Sequence, residues 1–194
     1  AGWFSKPIDQ AEDLQGLKIR FAGLGGRTLQ RLGASVTMIP SGEIFQALET
    51  GVIDATEYSQ PVVDDALGFS RIAKYNYFPG WHQPFTATHM MVNLQVWNDL
   101  SETDRTLLDT ACTGTVMYGL SLTESLQGAV IQKFKNEGIS TRILSESLQN
   151  DLRIAANEVM EEEAEKDAYF KEVLQSQRAY KATHDQWREL AYPK

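Results

Sequence analysis

The chain has 194 residues, 42% hydrophobic and 23% charged, with a net charge of −8, which allows a sizeable core in one large or two small domains. That charge argues against a general nucleic-acid binder, which presents a basic stripe. The single cysteine, Cys112, excludes an intramolecular disulfide and a cysteine-based zinc cluster, and there is no run of about 20 apolar residues of the kind that crosses a membrane as a helix.

The first 60 residues alternate short apolar runs with amphipathic ones: "LKIRFA", "GRTLQRLG", "SVTMIP", "GEIFQALETG" and "VIDATEY". This pattern predicts βαβαβ with parallel strands and crossover helices. Gly33 and Gly51 stand where helices end and only glycine turns left-handed cheaply. Pro40-Ser41 supplies a break and a capping hydroxyl before a helix with Ile44, Phe45 and Leu48 on one face. Between the first strand and helix, Gly23 and Gly25 match two glycines of G-x-G-x-x-G, with Thr28 at the third position and Glu43 about 20 residues on. The dinucleotide pattern is incomplete.

Residues 61–80 read as helix and then irregular chain, and "TATHMMVNLQVW" alternates as a strand that Asn93 turns. A long helix begins at the capping box Ser101-x-x-Asp104 and closes at Gly138, with a bend expected near Gly114 or Gly119 and Cys112 as a small buried hydrophobe. "ISTRIL" is a short strand. Ser145 or Ser147 opens a final helical region to about Leu190, striped by Leu148, Leu152, Ala155, Val159, Phe170, Val173, Leu174 and Trp187. That length calls for a break. The run Glu161, Glu162, Glu163 reads as a solvated face.

Three places carry potential chemistry. Arg20 lies near the carboxyl end of the first strand, where ligands of open α/β sheets bind. Its planar fork suits a carboxylate, and an internal ion pair serves equally well. Asp54, Glu57 and Tyr58 end the third strand, where a carboxylate could bind a cation, hold Arg20 or cap the next helix. The aromatics Tyr75, Tyr77, Phe78 and Trp81, before Pro84 and Phe85, suit a core or an apolar pocket wall. His82, His89 and His184 lack metal-ligand spacing and read as surface or structural.

Taken together, "EDLQGLKIR", "GEIFQALETGVIDATEY", "DDALGF" and "YNYFPGWHQP" resemble the solute-binding proteins of tripartite ATP-independent periplasmic (TRAP) transporters, DctP-like, and within them the branch that binds 2-oxo acids and related monocarboxylates. The resemblance implies an α/β fold of the periplasmic-binding-protein type II kind, two lobes closing on a small organic acid. It makes Arg20 the arginine that pairs with the ligand carboxylate. Tyr58 falls beside the ligand where tryptophan is frequent. Glu57, Tyr58 and Gln83 fall on positions that hold a sodium or calcium ion with the ligand. Gln83 in place of a carboxylate lowers the charge of that site.

Family members carry a substantial further segment before the part matched here. On this reading the architecture is incomplete: 1–60 as the second lobe's α/β core, 61–100 as a crossover and hinge returning to the first lobe, and 101–194 as a helical region with one short strand packing on both lobes. Exposed apolar surface, self-association and a homodimer through the C-terminal helices are expected. The implied function is a non-enzymatic receptor in the periplasm that passes a small carboxylate to the transporter's membrane subunits, with no role for nucleic acid. The rival reading is an NAD-dependent oxidoreductase using the glycine-rich turn.

Overall fold

The computed structural model describes residues 2–83, 86 and 88–191. In chain order the elements are β1 (Gly2–Phe4), β2 (Lys18–Arg20), α1 (Gly23–Arg31), β3 (Ser35–Thr37), α2 (Ile44–Glu49), β4 (Ala55–Thr56), α3 (Pro61–Ala66) and β5 (Tyr75–Phe78). They continue with α4 (Leu94–Asp99), α5 (Glu102–Asn136), β6 (Ser140–Ile143), α6 (Glu146–Lys166) and α7 (Ala168–Ala191). Two compact units share them. One takes the residues up to Pro7 with Ile39–Leu144, the other Ile8–Met38 with the chain from Ser145 onward. The boundary after Met38 thus falls inside the segment 1–60 that the sequence presents as one lobe core.

In the first unit β1 lies between β4 and β5, antiparallel to both, and β5 runs parallel to β6. Trp3, Ile44, Leu48, Ile53, Phe69 and Phe134 form its core. The Trp3 and Phe134 rings meet edge to face at 5.0 Å, the arrangement their quadrupoles favour. The Ser101 hydroxyl accepts from the Asp104 N–H and starts α5, which continues through Gly114 and Gly119. Among the described residues of α5 only Phe134 is buried; Leu107, Val116, Met117, Tyr118 and Leu120 are exposed, and Cys112 is half-buried.

In the second unit β2 and β3 pair in parallel, with α1 as their connection. Gly26 lets α1 approach closely: a Cβ there would meet Val36 Cγ1 at 3.1 Å and the Phe21 carbonyl oxygen at 3.2 Å. Gly33 ends the helix at φ +93°, with the Gln15 side chain filling the space a Cβ would need. The face of α6 marked by Leu148, Leu152, Ala155 and Val159 is buried. Arg31 reaches Glu158 at 2.6 Å and Glu162 at 2.5 Å, while Arg27 pairs with Glu163 and Arg178 with Glu161 at 2.6 Å. The acidic run is therefore ion-paired to α1 and α7 rather than merely solvated. The expected break in the last helical region falls at Asp167, whose carboxylate accepts from the Tyr169 and Phe170 N–H groups and caps α7.

Several expectations fail for identifiable reasons. "VIDATEY" contributes only the two-residue β4, antiparallel to β1, so the first 60 residues are not one parallel βαβαβ run. The strands β1 and β5 were not expected, because each is too short to show alternation. Residues 86 and 88–93 form no strand, and "LQVW" belongs to α4, whose cap is the Asn93 carbonyl oxygen accepting from the Gln95 and Val96 N–H groups. Ser41 lies inside a 3-10 turn, and the N-cap position of α2 falls to Glu43, which makes no side-chain cap. Trp187, read as part of the apolar stripe, is exposed. Pro84, Phe85 and Ala87 lie outside the described residues.

Phe134→Ala empties the position where α5 meets the core, and a loss of about 3–5 kcal/mol is expected for an aromatic truncated in a core; urea unfolding measures it, and a loss below 1 kcal/mol would contradict this packing. The number of large apolar side chains that α5 leaves exposed predicts self-association. Sedimentation velocity should then show mass rising with concentration, whereas a clean monomer at all concentrations would refute it.

Candidate functional site

Arg20 ends β2 in the second unit and is buried, with 7% of its surface exposed. Its register partner on β3 is Thr37. A guanidinium so far from water requires polar partners, because an unpaired buried charge costs several kcal/mol.

The other candidate residues belong to the first unit. Glu57 and Tyr58 follow β4 directly and are half-buried. The Tyr58 ring packs on the core and meets Phe69 edge to face at 6.4 Å. The loop after β5 approaches Glu57, with His82 Nε2 standing 3.8 Å from Glu57 Oε1. Gln83 is the next residue on this loop. Its amide nitrogen donates to the Thr86 hydroxyl at 2.7 Å, and the amide oxygen is an acceptor.

His82 was expected to be surface or structural, but it stands beside the candidate carboxylate. Burial lowers its pKa to about 4, so the imidazole is neutral at pH 7. Among the described residues no three His, Cys, Asp or Glu side chains gather into a metal cage. The Glu57 carboxylate and the Gln83 amide oxygen are hard donors of the type that sodium and calcium take.

Asp64 was missed by sequence reasoning. It sits on α3 with 4% of its surface exposed, and its carboxylate accepts from the Trp3 indole Nε1–H at 2.9 Å and from the Ser59 backbone N–H at 3.1 Å. Burial raises its pKa to about 6, against the lowering effect of those two donors, and the negative charge of Glu57 raises it further. The only sequence signal was the acidic pair in "DDALGF", whose second member Asp65 instead pairs with Lys133 of α5 at 2.7 Å.

The model of the bacterial extracellular solute-binding protein family 7, DctP, matches residues 1–167. The chain belongs to that family. Members of this family are solute-binding receptors, not enzymes, so the oxidoreductase reading is set aside. The glycine-rich turn opens α1, and the hydroxyl of Thr28, at the third-glycine position, donates to the Leu24 carbonyl at 2.9 Å.

A monocarboxylate 2-oxoacid-binding periplasmic protein of Nostoc sp. is 34% identical over 194 residues, 98% of this chain and 53% of that protein. A TRAP periplasmic solute-binding protein of Colwellia psychrerythraea, solved with bound calcium and pyruvate, is 36% identical with a TM-score of 0.89, over 98% of this chain and 58% of that one. Its counterpart from Pseudoalteromonas atlantica, solved with bound sodium and pyruvate, is 33% identical with a TM-score of 0.81, over 100% of this chain and 61% of that one. The chain thus spans little more than half the length of these relatives.

The titration of Asp64 has a defined sign. An acid whose folded pKa stands above its unfolded value binds more protons when folded, so its stabilisation is present at low pH and lost as pH rises through about 6. Between pH 7 and pH 5 the wild type should gain about 1 kcal/mol relative to Asp64→Asn. The neutral His82 acts oppositely but is common to both proteins and cancels. Denaturant unfolding at the two pH values measures the difference, and identical pH responses would refute a raised carboxyl.

Proposed function

We propose that this family member is a periplasmic receptor for a small 2-oxo acid such as pyruvate, or a lactate-like monocarboxylate, which it delivers to the membrane subunits of a TRAP transporter. The observation that carries the reading is its identity of 34% over nearly the whole chain to a 2-oxoacid-binding relative, together with 36% and 33% to two relatives holding pyruvate beside a cation. Arg20 anchors the ligand carboxylate with two parallel charge-assisted hydrogen bonds. Glu57 and the Gln83 amide oxygen supply hard donors to a calcium or sodium ion that the ligand oxygens complete. Tyr58 joins that site from the core side, where its packing on Phe69 limits its motion.

The burial of Arg20 fits this role because a dehydrated guanidinium binds an anion more strongly than a hydrated one. The charge near Glu57 fits as well. With His82 neutral, the acidic side of the site requires a metal ion before a second carboxylate can approach without repulsion.

Thermal unfolding with pyruvate, 2-oxobutyrate, lactate and succinate, each with sodium, calcium or neither, tests the proposal. A 2-oxo acid should raise the melting temperature most, and more with the cation than without it. Arg20→Ala should lower carboxylate affinity about a hundredfold, as removing one partner of a buried charge pair does. Glu57→Gln should weaken the dependence on the cation while leaving the anion preference. No shift with any carboxylate, under conditions where the protein is folded, would refute the receptor reading.

A further inference from the structure

We infer that Asp64 is the positioning residue of the Glu57–Tyr58 segment, tying the chain immediately after those residues to Trp3 through both oxygens of its carboxylate. The inference rests on the proposed role of Glu57 as a cation ligand. Its geometry is independent of that role. Oδ1 accepts from the Ser59 backbone N–H at 3.1 Å, one residue beyond Tyr58, and Oδ2 accepts from the indole of Trp3 at 2.9 Å. Trp3 is fully buried in the core of the first unit, so the bond ties the segment to a ring that has no room to move.

A buried carboxylate is costly, and a structural tie could have been made with neutral groups. Only a carboxylate accepts at both oxygens. An asparagine here would accept at one and turn its NH2 toward the other donor, so one of the two ties would be lost. The remainder of the segment is held from α5, where Gln127 Oε1 accepts from the Val62 N–H at 3.1 Å, the Gln127 amide donates to Gln60 at 2.8 Å, and Lys133 pairs with Asp65. Those bonds fix α3. The bond from Ser59 lies one residue beyond Tyr58 and carries that fixity to the pair from its carboxyl side, while the Thr56 hydroxyl donates to the Glu57 carbonyl at 3.2 Å on the other.

Calcium binding at saturating pyruvate, measured by titration calorimetry at pH 7.5 on the wild type, Asp64→Asn, Glu57→Gln and the double variant, tests this. Asp64→Asn should lower calcium affinity about tenfold or more, the usual loss when an outer partner of a metal ligand is removed. Because Asp64 acts through Glu57, the double variant should bind no more weakly than Glu57→Gln alone. Unchanged affinity in Asp64→Asn, or losses that add in the double variant as a merely structural defect would, overturns the inference and leaves the receptor reading standing. A wild type that takes no calcium with pyruvate, or a Glu57→Gln variant that binds as well as wild type, overturns the receptor reading and this inference with it. Should Asp64→Asn fail to fold, Trp3→Phe keeps a ring in the core and removes the indole donor; it should weaken calcium binding in the same direction, and unchanged affinity there counts against the role.

Discussion

The burial of Trp3 is the constraint on which the first unit depends. This one side chain, in a strand of three residues, meets Phe134 of α5 through its ring edge and Asp64 of α3 through its indole nitrogen. Its backbone pairs with Thr56 on one side and Asn76 on the other. The strand, α3 and α5 thus meet at a single residue with no exposed surface. A polar atom on a buried ring must find an acceptor, and here the acceptor is the carboxylate that also holds Ser59.

The second unit is stabilised differently. Its two parallel strands and α1 place Arg20 at a strand end, while the outer faces of α1, α6 and α7 are joined by exposed arginine–glutamate pairs. Such pairs contribute little each in water, so burial of the apolar face of α6 outweighs them. Arg27 and Arg31 are exposed and screened by water, whereas Arg20 is buried.

Elements with local signals were legible in the sequence. Both serine caps of α5 and α6, the glycine ends at Gly33 and Gly51, the parallel β2–β3 unit and the strand β6 are encoded by neighbours within a few residues. What failed was the pairing of short strands. Three residues such as Gly2–Phe4 carry no period, and the direction of β4 follows from its antiparallel partner β1, more than 50 positions away in sequence. Likewise "TATHMMVNLQVW" alternates as a strand would, yet the Asn93 cap turns its second half into α4.

The candidate site divides in the same way. By itself the sequence determined the longer helices, the serine caps of α5 and α6, the family and the residue types that could bind an acid with a cation, because these reside in local pattern and in ordered motifs. Only the tertiary structure decided that Arg20 is buried, that Glu57 has a neutral imidazole at 3.8 Å, and that Asp64 and Trp3 are joined 61 positions apart. Burial and dehydration depend on what distant segments pack over a side chain, and no local pattern records that. The chemistry of a carboxylate is written in its residue type, but its charge state and its partners are set by the fold.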